Sequence, residues 1–487
     1  MVFDFNKAVF TYAISDKEID CFNQHFIMKT RGLIVNYTDA TTIYSAQAEE
    51  QEAVVVGLCI DSYEQIEREN IASELIRLPK QTIEAVYAFS DRLSGKYIII
   101  YSNPTGCYIF GDATCSIPAN YSGNLEDGVF CVSPFDKMTA DYFGYKPDNR
   151  LLKMRESADP AQAMPGDLTP YTQVKALLPN QYLDIVTGES IRVKVQIPDL
   201  SFDDIIDRSI ILSKNITKQF SKYYNLICPV TSGYDSRVVL SILQQVISGI
   251  QCYTTNFSPS TDESDDMRIA AAICKKKGIS HTIFGYYDPP KEYAKSLEQY
   301  AGLINSAQTI KEAYSYVVDA GEKARINGNI IGQIGKSSVT NCVPDSLANA
   351  SFFSCKIHNR DKECKPEMKK YISEIKNSGQ QLCDLFVYEN RCGRWGGQEE
   401  ALYSLCGMNS LNIFNSREII LSWISIPRQK RIKKFIHLSM IQKTDPDLLD
   451  EPFNPGDRFS FMKNNWVFYY IATFVKQVLI KHHVQCD

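Results

Sequence analysis

The chain of 487 residues reads as an α/β protein in two parts, a strand-rich first half and a second half in which strands and helices alternate. Three observations carry that reading. First, β-branched and aromatic runs at 52–60, 95–101 and 107–110, punctuated by Asn-Pro and Gly-Asp turns, crowd the residues up to about 195. Second, short apolar runs alternate beyond residue 200 with helical stretches of ten residues or more, the pattern of a parallel sheet that takes ligands at the carboxyl ends of its strands. Third, the apolar run 225–230 passes through a polar turn, Thr231-Ser232-Gly233-Tyr234-Asp235-Ser236-Arg237, into residues 238–243, which have the spacing of an amphipathic helix.

In chain order, residues 74–78 and 82–89 read as short helices between the first strands, and a polar joint at 196–204 separates a unit 1–195 from a unit 200–487. The second unit then gives a strand at 225–230, a helix to about 246 and a strand at 251–257. A helix at 265–277, a strand at 280–286, two helices to about 325 and a strand at 327–332 follow. From about residue 366 the pattern is helical, with Trp395, Trp423 and Trp466 expected in the core.

Composition narrows the function. With 44% hydrophobic and 22% charged residues the chain is globular rather than disordered or fibrous, and a net charge of −5 without a basic stripe argues against nucleic acid as its partner. No apolar run approaches the roughly 18–20 residues of a membrane span, and acidic residues occupy the N-terminal stretch where a signal peptide would be basic, so a cytoplasmic protein is expected. The 15 cysteines are scattered with no Cys-x-x-Cys pair, and the six histidines show no zinc spacing apart from the terminal His482-His483, read as a frayed tail.

The turn at 231–237 carries the chemistry. A strand running through a tight turn into a helix aims backbone N–H groups and the positive end of the helix dipole at one spot, which suits a phosphate. Gly233 allows close approach, Thr231, Ser232 and Ser236 offer hydroxyls, and Asp235 is placed to hold magnesium against the phosphates. Residue type alone leaves an ordinary strand-turn-helix corner open.

TSGYDS resembles the SGGxDS pyrophosphate-binding loop of the PP-loop ATP pyrophosphatases, in the form found in asparagine synthetase-like proteins. Thr231 stands where that motif has Ser, Ser232 replaces its first Gly, and Gly233, Asp235 and Ser236 match. The order of segments resembles the same family over nearly the whole chain. The resemblance implies an Ntn-like αββα unit ahead of a PP-loop (HUP-type) parallel-sheet synthetase unit with a helical C-terminal region. Position 2 is Val2, where the family's glutaminase has its nucleophilic cysteine, so the first unit is expected to be a scaffold, as in β-lactam synthetases and lasso-peptide cyclases.

The activity so implied is amide formation: a carboxylate attacks the α-phosphate of ATP, magnesium pyrophosphate leaves, and an amine other than glutamine's displaces AMP from the acyl-adenylate. ATP and Mg2+ are the implied cofactors. Carboxylates and amines of small molecules, glycans or peptides are the implied partners, and a homodimer stays open.

The turn Gly332-Gln-Ile-Gly335-Lys336 falls where the family has its second phosphate loop, with Lys336 in place of the usual acid; a Walker A reading fails because Ile330 stands where that motif needs glycine. Lys434 is the best match to the family's C-terminal lysine, although Lys430, Arg431, Lys433 and Lys434 together also read as a solvated helix face. Asp266 reads as a helix N-terminal acid and His281 as a strand histidine. The departures Val2, Ser232 and Lys336 leave a second expectation beside the ligase, a nucleotide-binding pseudo-enzyme that regulates or scaffolds such a pathway.

Overall fold

The structure is a computed structural model and describes residues 2–158, 163–257, 264–302, 307–359, 361–377, 381–455 and 465–483. The acidic loop read ahead of Asp266 falls at 258–263, outside the described residues, and the side chains of His482 and His483 do too.

Among the described residues, twelve strands fill the first half: β1 Tyr12–Ser15, β2 Gln24–Met28, β3 Leu33–Tyr37, β4 Ile43–Ala48, β5 Gln51–Asp61, β6 Leu93–Asn103, β7 Gly106–Gly111, β8 Asn120–Asn124, β9 Val129–Ser133, β10 Lys175–Ala176, β11 Gln181–Asp184 and β12 Glu189–Arg192. They form two six-stranded antiparallel sheets, in the orders β10-β8-β9-β1-β3-β2 and β12-β11-β7-β6-β5-β4. β5 and β6 are fully paired from Glu52↔Ser102 to Asp61↔Leu93, and their period-two alternation gives each strand two apolar faces. Val54, Val56, Ile98 and Ile100 join Tyr12, Ile14 and Val35 of the other sheet in one buried cluster. Val55, Tyr97 and Ile99 turn the other way, onto α1 (Ile71–Ile76) and α2 (Ile83–Phe89). Behind the first sheet, Ala13 shares a cluster with Phe135 and with Met138 of α3 (Asp136–Phe143), so the layers run helices, sheet, sheet, helix. α4 (Asn149–Glu156) begins on Asp148, whose carboxylate accepts the first-turn N–H groups of Arg150 and Leu151.

The second half opens with α5 (Phe202–Ser221), capped by Ser201 and carrying Asp203 and Asp204 in its first turn. Its strands are β13 Leu226–Pro229, β14 Gln251–Thr255, β15 His281–Phe284, β16 Ala324–Ile326 and β17 Ser410–Leu411, all parallel, in the order β15-β14-β13-β16-β17. β13 is central, and its carboxyl end feeds α6 (Tyr234–Leu243); α7 (Asp265–Lys277) follows β14.

Three expectations need correction. The part read as helical from about residue 366 also supplies the edge strand β17, which pairs parallel with β16. The strand read at 327–332 is three residues of strand, Ala324–Ile326, followed by helical backbone through Ile330 and a π-helical turn Ile331–Gly335. Asn327 ends the strand by accepting the Asn329 N–H on its own side chain, and Ile330 and Ile331 are buried by a helix instead of a sheet. A short apolar run does not tell those apart. Trp466 is only half-buried, on the first turn of the helix Trp466–His483, whereas Trp395 and Trp423 are core. No described helix is long and apolar enough to cross a membrane.

Trp423 is fully buried, donates Nε1–H to Ser209 Oγ of α5 at 3.0 Å and packs on Phe414. Trp423→Ala should therefore cost about 3–5 kcal/mol, read as a lowered urea midpoint; a loss under about 1 kcal/mol would show that this junction is not packed as described.

Candidate functional site

The turn after β13 is braced by its own side chains. Thr231 N–H donates to Ser236 Oγ (3.1 Å), Gly233 N–H to Thr231 Oγ1 (3.1 Å), and Ser232 gives both N–H (2.8 Å) and Oγ–H (2.6 Å) to Asp266 Oδ1 on α7. This corrects the expectation that the turn's N–H groups stand open. Short hydroxyl residues in a turn satisfy local backbone, and Asp266 reaches across from the next helix. What is left for an anion is the start of α6, whose N-cap Gly233 is extended and supplies no side-chain cap.

Asp235, in the first turn of α6, gathers the rest of the site. Its Oδ2 lies 2.7 Å from Lys336 Nζ and its Oδ1 2.8 Å from His437 Nε2. His437, on the helix Phe435–Thr444, is fully buried; since the carboxylate can only accept, Nε2 carries the proton and donates. Burial pushes the Asp235 carboxyl up, but the His437 N–H and the Lys336 ammonium outweigh that and hold it below the usual carboxylate value. Burial pulls His437 below its ordinary 6.5, with Lys336 and Lys434 helping and Asp235 opposing.

Glycines make the approach to Asp235 feasible. A Cβ on Gly332 would stand 2.9 Å from Asp235 Oδ2, one on Gly328 3.1 Å from Asp235 Cβ, and one on Gly335 3.3 Å from the His437 ring. Lys434 sits at φ 62°, where it starts the helix Phe435–Thr444, and its ammonium lies 5.0 Å from the centroid of the Tyr234 ring; that of Lys336 lies 6.0 Å from the same ring. Tyr234 stacks on Phe453 (4.0 Å, 5°). Arg237, fully buried, stacks on the same Phe453 and donates to the carbonyls of Ser232, Leu448, Glu451 and Pro452, while Asn454 N–H reaches Ser232 O. The C-terminal segment 448–454 is thereby tied to the turn.

The structure thus brings Thr231, Ser232, Gly233, Asp235, Ser236, Gly332, Gly335, Lys336 and Lys434 together around one helix start. Sequence reasoning missed His437 and Arg237. His437 had no signal of its own, being a single histidine after a basic cluster; Arg237, a charged residue opening an apolar helix, was visible as an anomaly.

Magnesium on Asp235, which the resemblance implies, does not fit these residues. Both carboxylate oxygens already take N–H donors, the Lys336 ammonium stands where a cation would, and no group of three His, Cys, Asp or Glu side chains among the described residues is arranged to hold a metal.

A cavity of ≈ 100 Å³ opens past the carboxyl ends of β16 and β17, with Lys96, Asn327, Gln333, Arg391, Glu399 and Asn412 in its wall and none of the residues gathered around Asp235. It has room for several waters or a small polar group. Lys96, almost fully buried, pairs with Glu400 at 2.9 Å, joining the antiparallel half to the parallel one. Burial raises Glu399 above the usual carboxylate value, against the pull of Arg391 and the Trp395 N–H.

No family model matches the chain, and no curated protein matches it. Among solved structures it is similar in part to a glutamine-dependent NAD+ synthetase from Acinetobacter baumannii in complex with ADP, at 13% identity and a TM-score of 0.21, over 43% of this chain and 40% of that one. This chain therefore spans well under half of that protein's length, and a likeness of this depth carries no argument about chemistry, which rests on the residues themselves.

The lowered pKa of His437 has a measurable consequence. Below about pH 6.5 an unfolded imidazole takes up a proton while the native one does not, so the unfolded state binds more protons and stability falls as pH falls, ending at the native pKa. The parent should lose up to about 1.4 kcal/mol per pH unit in that window, and His437→Asn should flatten the slope in denaturant titrations. Equal slopes would show that His437 is not buried as a neutral group.

Proposed function

We propose that this chain is an ATP-dependent, AMP-forming amide ligase. In this reading the start of α6 takes the phosphates of ATP, a substrate carboxylate oxygen attacks the α-phosphorus, and pyrophosphate departs. An amine then displaces AMP from the acyl-adenylate. The observation that carries the reading is the convergence of the Lys336 and Lys434 ammoniums over Tyr234, beside the uncapped start of α6, at the carboxyl end of the central parallel strand. Positive charge and open N–H groups at one point are what a departing polyphosphate needs, and fixed donors require no rearrangement as charge develops. The polar cavity past the carboxyl ends of β16 and β17 offers a place for a small reacting group, acid or amine.

A second reading, a nucleotide-binding pseudo-enzyme, is favoured by one contact. Asp266 holds the N–H and the hydroxyl of Ser232, so part of the turn is spent before any ligand arrives.

Pyrophosphate and AMP release from ATP, measured against a panel of glycan uronates, peptides and small carboxylic acids, separates the two. The ligase reading expects carboxylate-dependent release of both products in equal amounts, with Lys434→Ala slowing it at least about tenfold while ATP still binds. ATP binding with no release for any acid selects the pseudo-enzyme, and absence of ATP binding removes both.

A further inference from the structure

We propose that polyphosphate binding at this site is independent of a divalent cation, with the Lys336 ammonium, braced by Asp235, supplying the charge that a metal would otherwise bring. The proposal rests on the phosphate reading of the site and goes beyond it, because it assigns Asp235 a different job: it orients a lysine and does not ligate an ion.

Geometry makes the case. A lysine ammonium has three protons, and the 2.7 Å contact with Asp235 Oδ2 uses one, leaving two for phosphate oxygens. The carboxylate cannot swing toward a metal without breaking a second bond, because Oδ1 is held at 2.8 Å by His437, a side chain with no exposed surface. The turn carrying Lys336 closes on the same carboxylate so tightly that a single added carbon at Gly332 would meet Oδ2 at 2.9 Å. Magnesium prefers six oxygen ligands and keeps several of its waters, and the Gly332 side of the carboxylate has no room for them. His437 is suited to its post: as a neutral donor it fixes the carboxylate's orientation without adding charge to the cluster.

The test is calorimetric titration of the full chain with ATP and, separately, with inorganic pyrophosphate, each in excess EDTA and in excess MgCl2. The proposal expects affinities in EDTA within about threefold of those in magnesium. Lys336→Ala should weaken binding in EDTA at least tenfold, with Lys336→Arg restoring most of it. Asp235→Asn should leave the ratio between the two buffers near one, and Lys336→Asp should make binding magnesium-dependent. Thermal melts of each variant separate lost folding from lost binding, and the Lys336 substitutions, at a partly exposed side chain, carry the test if Asp235→Asn unfolds. Binding of either ligand that requires magnesium in the parent, or Lys336→Ala with unchanged affinity, overturns the proposal, and so does the absence of any phosphate binding in EDTA. Pyrophosphate bound in EDTA without ATP binding would remove the ATP ligase reading and leave this one standing.

Discussion

The carboxylate of Asp235 ties together three stretches of chain that are far apart in sequence. It belongs to the first turn of α6, its Oδ2 holds Lys336 from the turn after β16, and its Oδ1 holds His437 from a helix some two hundred residues downstream. A half-buried carboxylate leaves the unfolded state's water only where donors replace it, and here an ammonium and an imidazole N–H do so. Everything else near the helix start is arranged around that node: the glycines that let the second turn close in, Tyr234 one residue before it, and the two lysines whose ammoniums converge on the ring.

A second constraint, from Arg237, holds the surrounding wall. A fully buried guanidinium requires acceptors in several directions, and four main-chain carbonyls supply them, three from the segment 448–452 and one from Ser232. Phe453, stacked between Arg237 and Tyr234, turns the same segment into a lid on the helix start. The C-terminal region is thus part of the site through hydrogen bonds that no apolar residue could replace. On the other flank Lys96, held by Glu400, and Asn415, which donates to Gly95 O and Asp112, fix the antiparallel half against the wall of the small cavity.

The sequence made legible what is local. β13, the polar turn and α6 follow from one apolar run, one glycine-bearing turn and one amphipathic stretch, and the alternation of β14, α7 and β15 follows from periodicity. The segment 327–332 reads as a strand because isoleucines beside glycines suit a buried strand and a buried helix equally; the Asx turn at Asn327 that decides between them is a single side-chain contact. The same limit hid the roles of His437 and Asp266. Each is an ordinary residue by its neighbours in sequence, and only the meeting of separate helices gives it a partner. Lys336 was conspicuous as a departure from an acidic motif, but that its partner would be Asp235 itself was a property of the fold.

Asp235 and Lys336 pair as one unit in this site. A double-mutant cycle on Asp235→Asn and Lys336→Ala, read by denaturant unfolding in EDTA at neutral pH, tests it without reference to any ligand. The pairing seen here predicts a coupling free energy of about 1–3 kcal/mol, because a charge-assisted hydrogen bond is lost once and not twice. Additive effects, with coupling indistinguishable from zero, would contradict it.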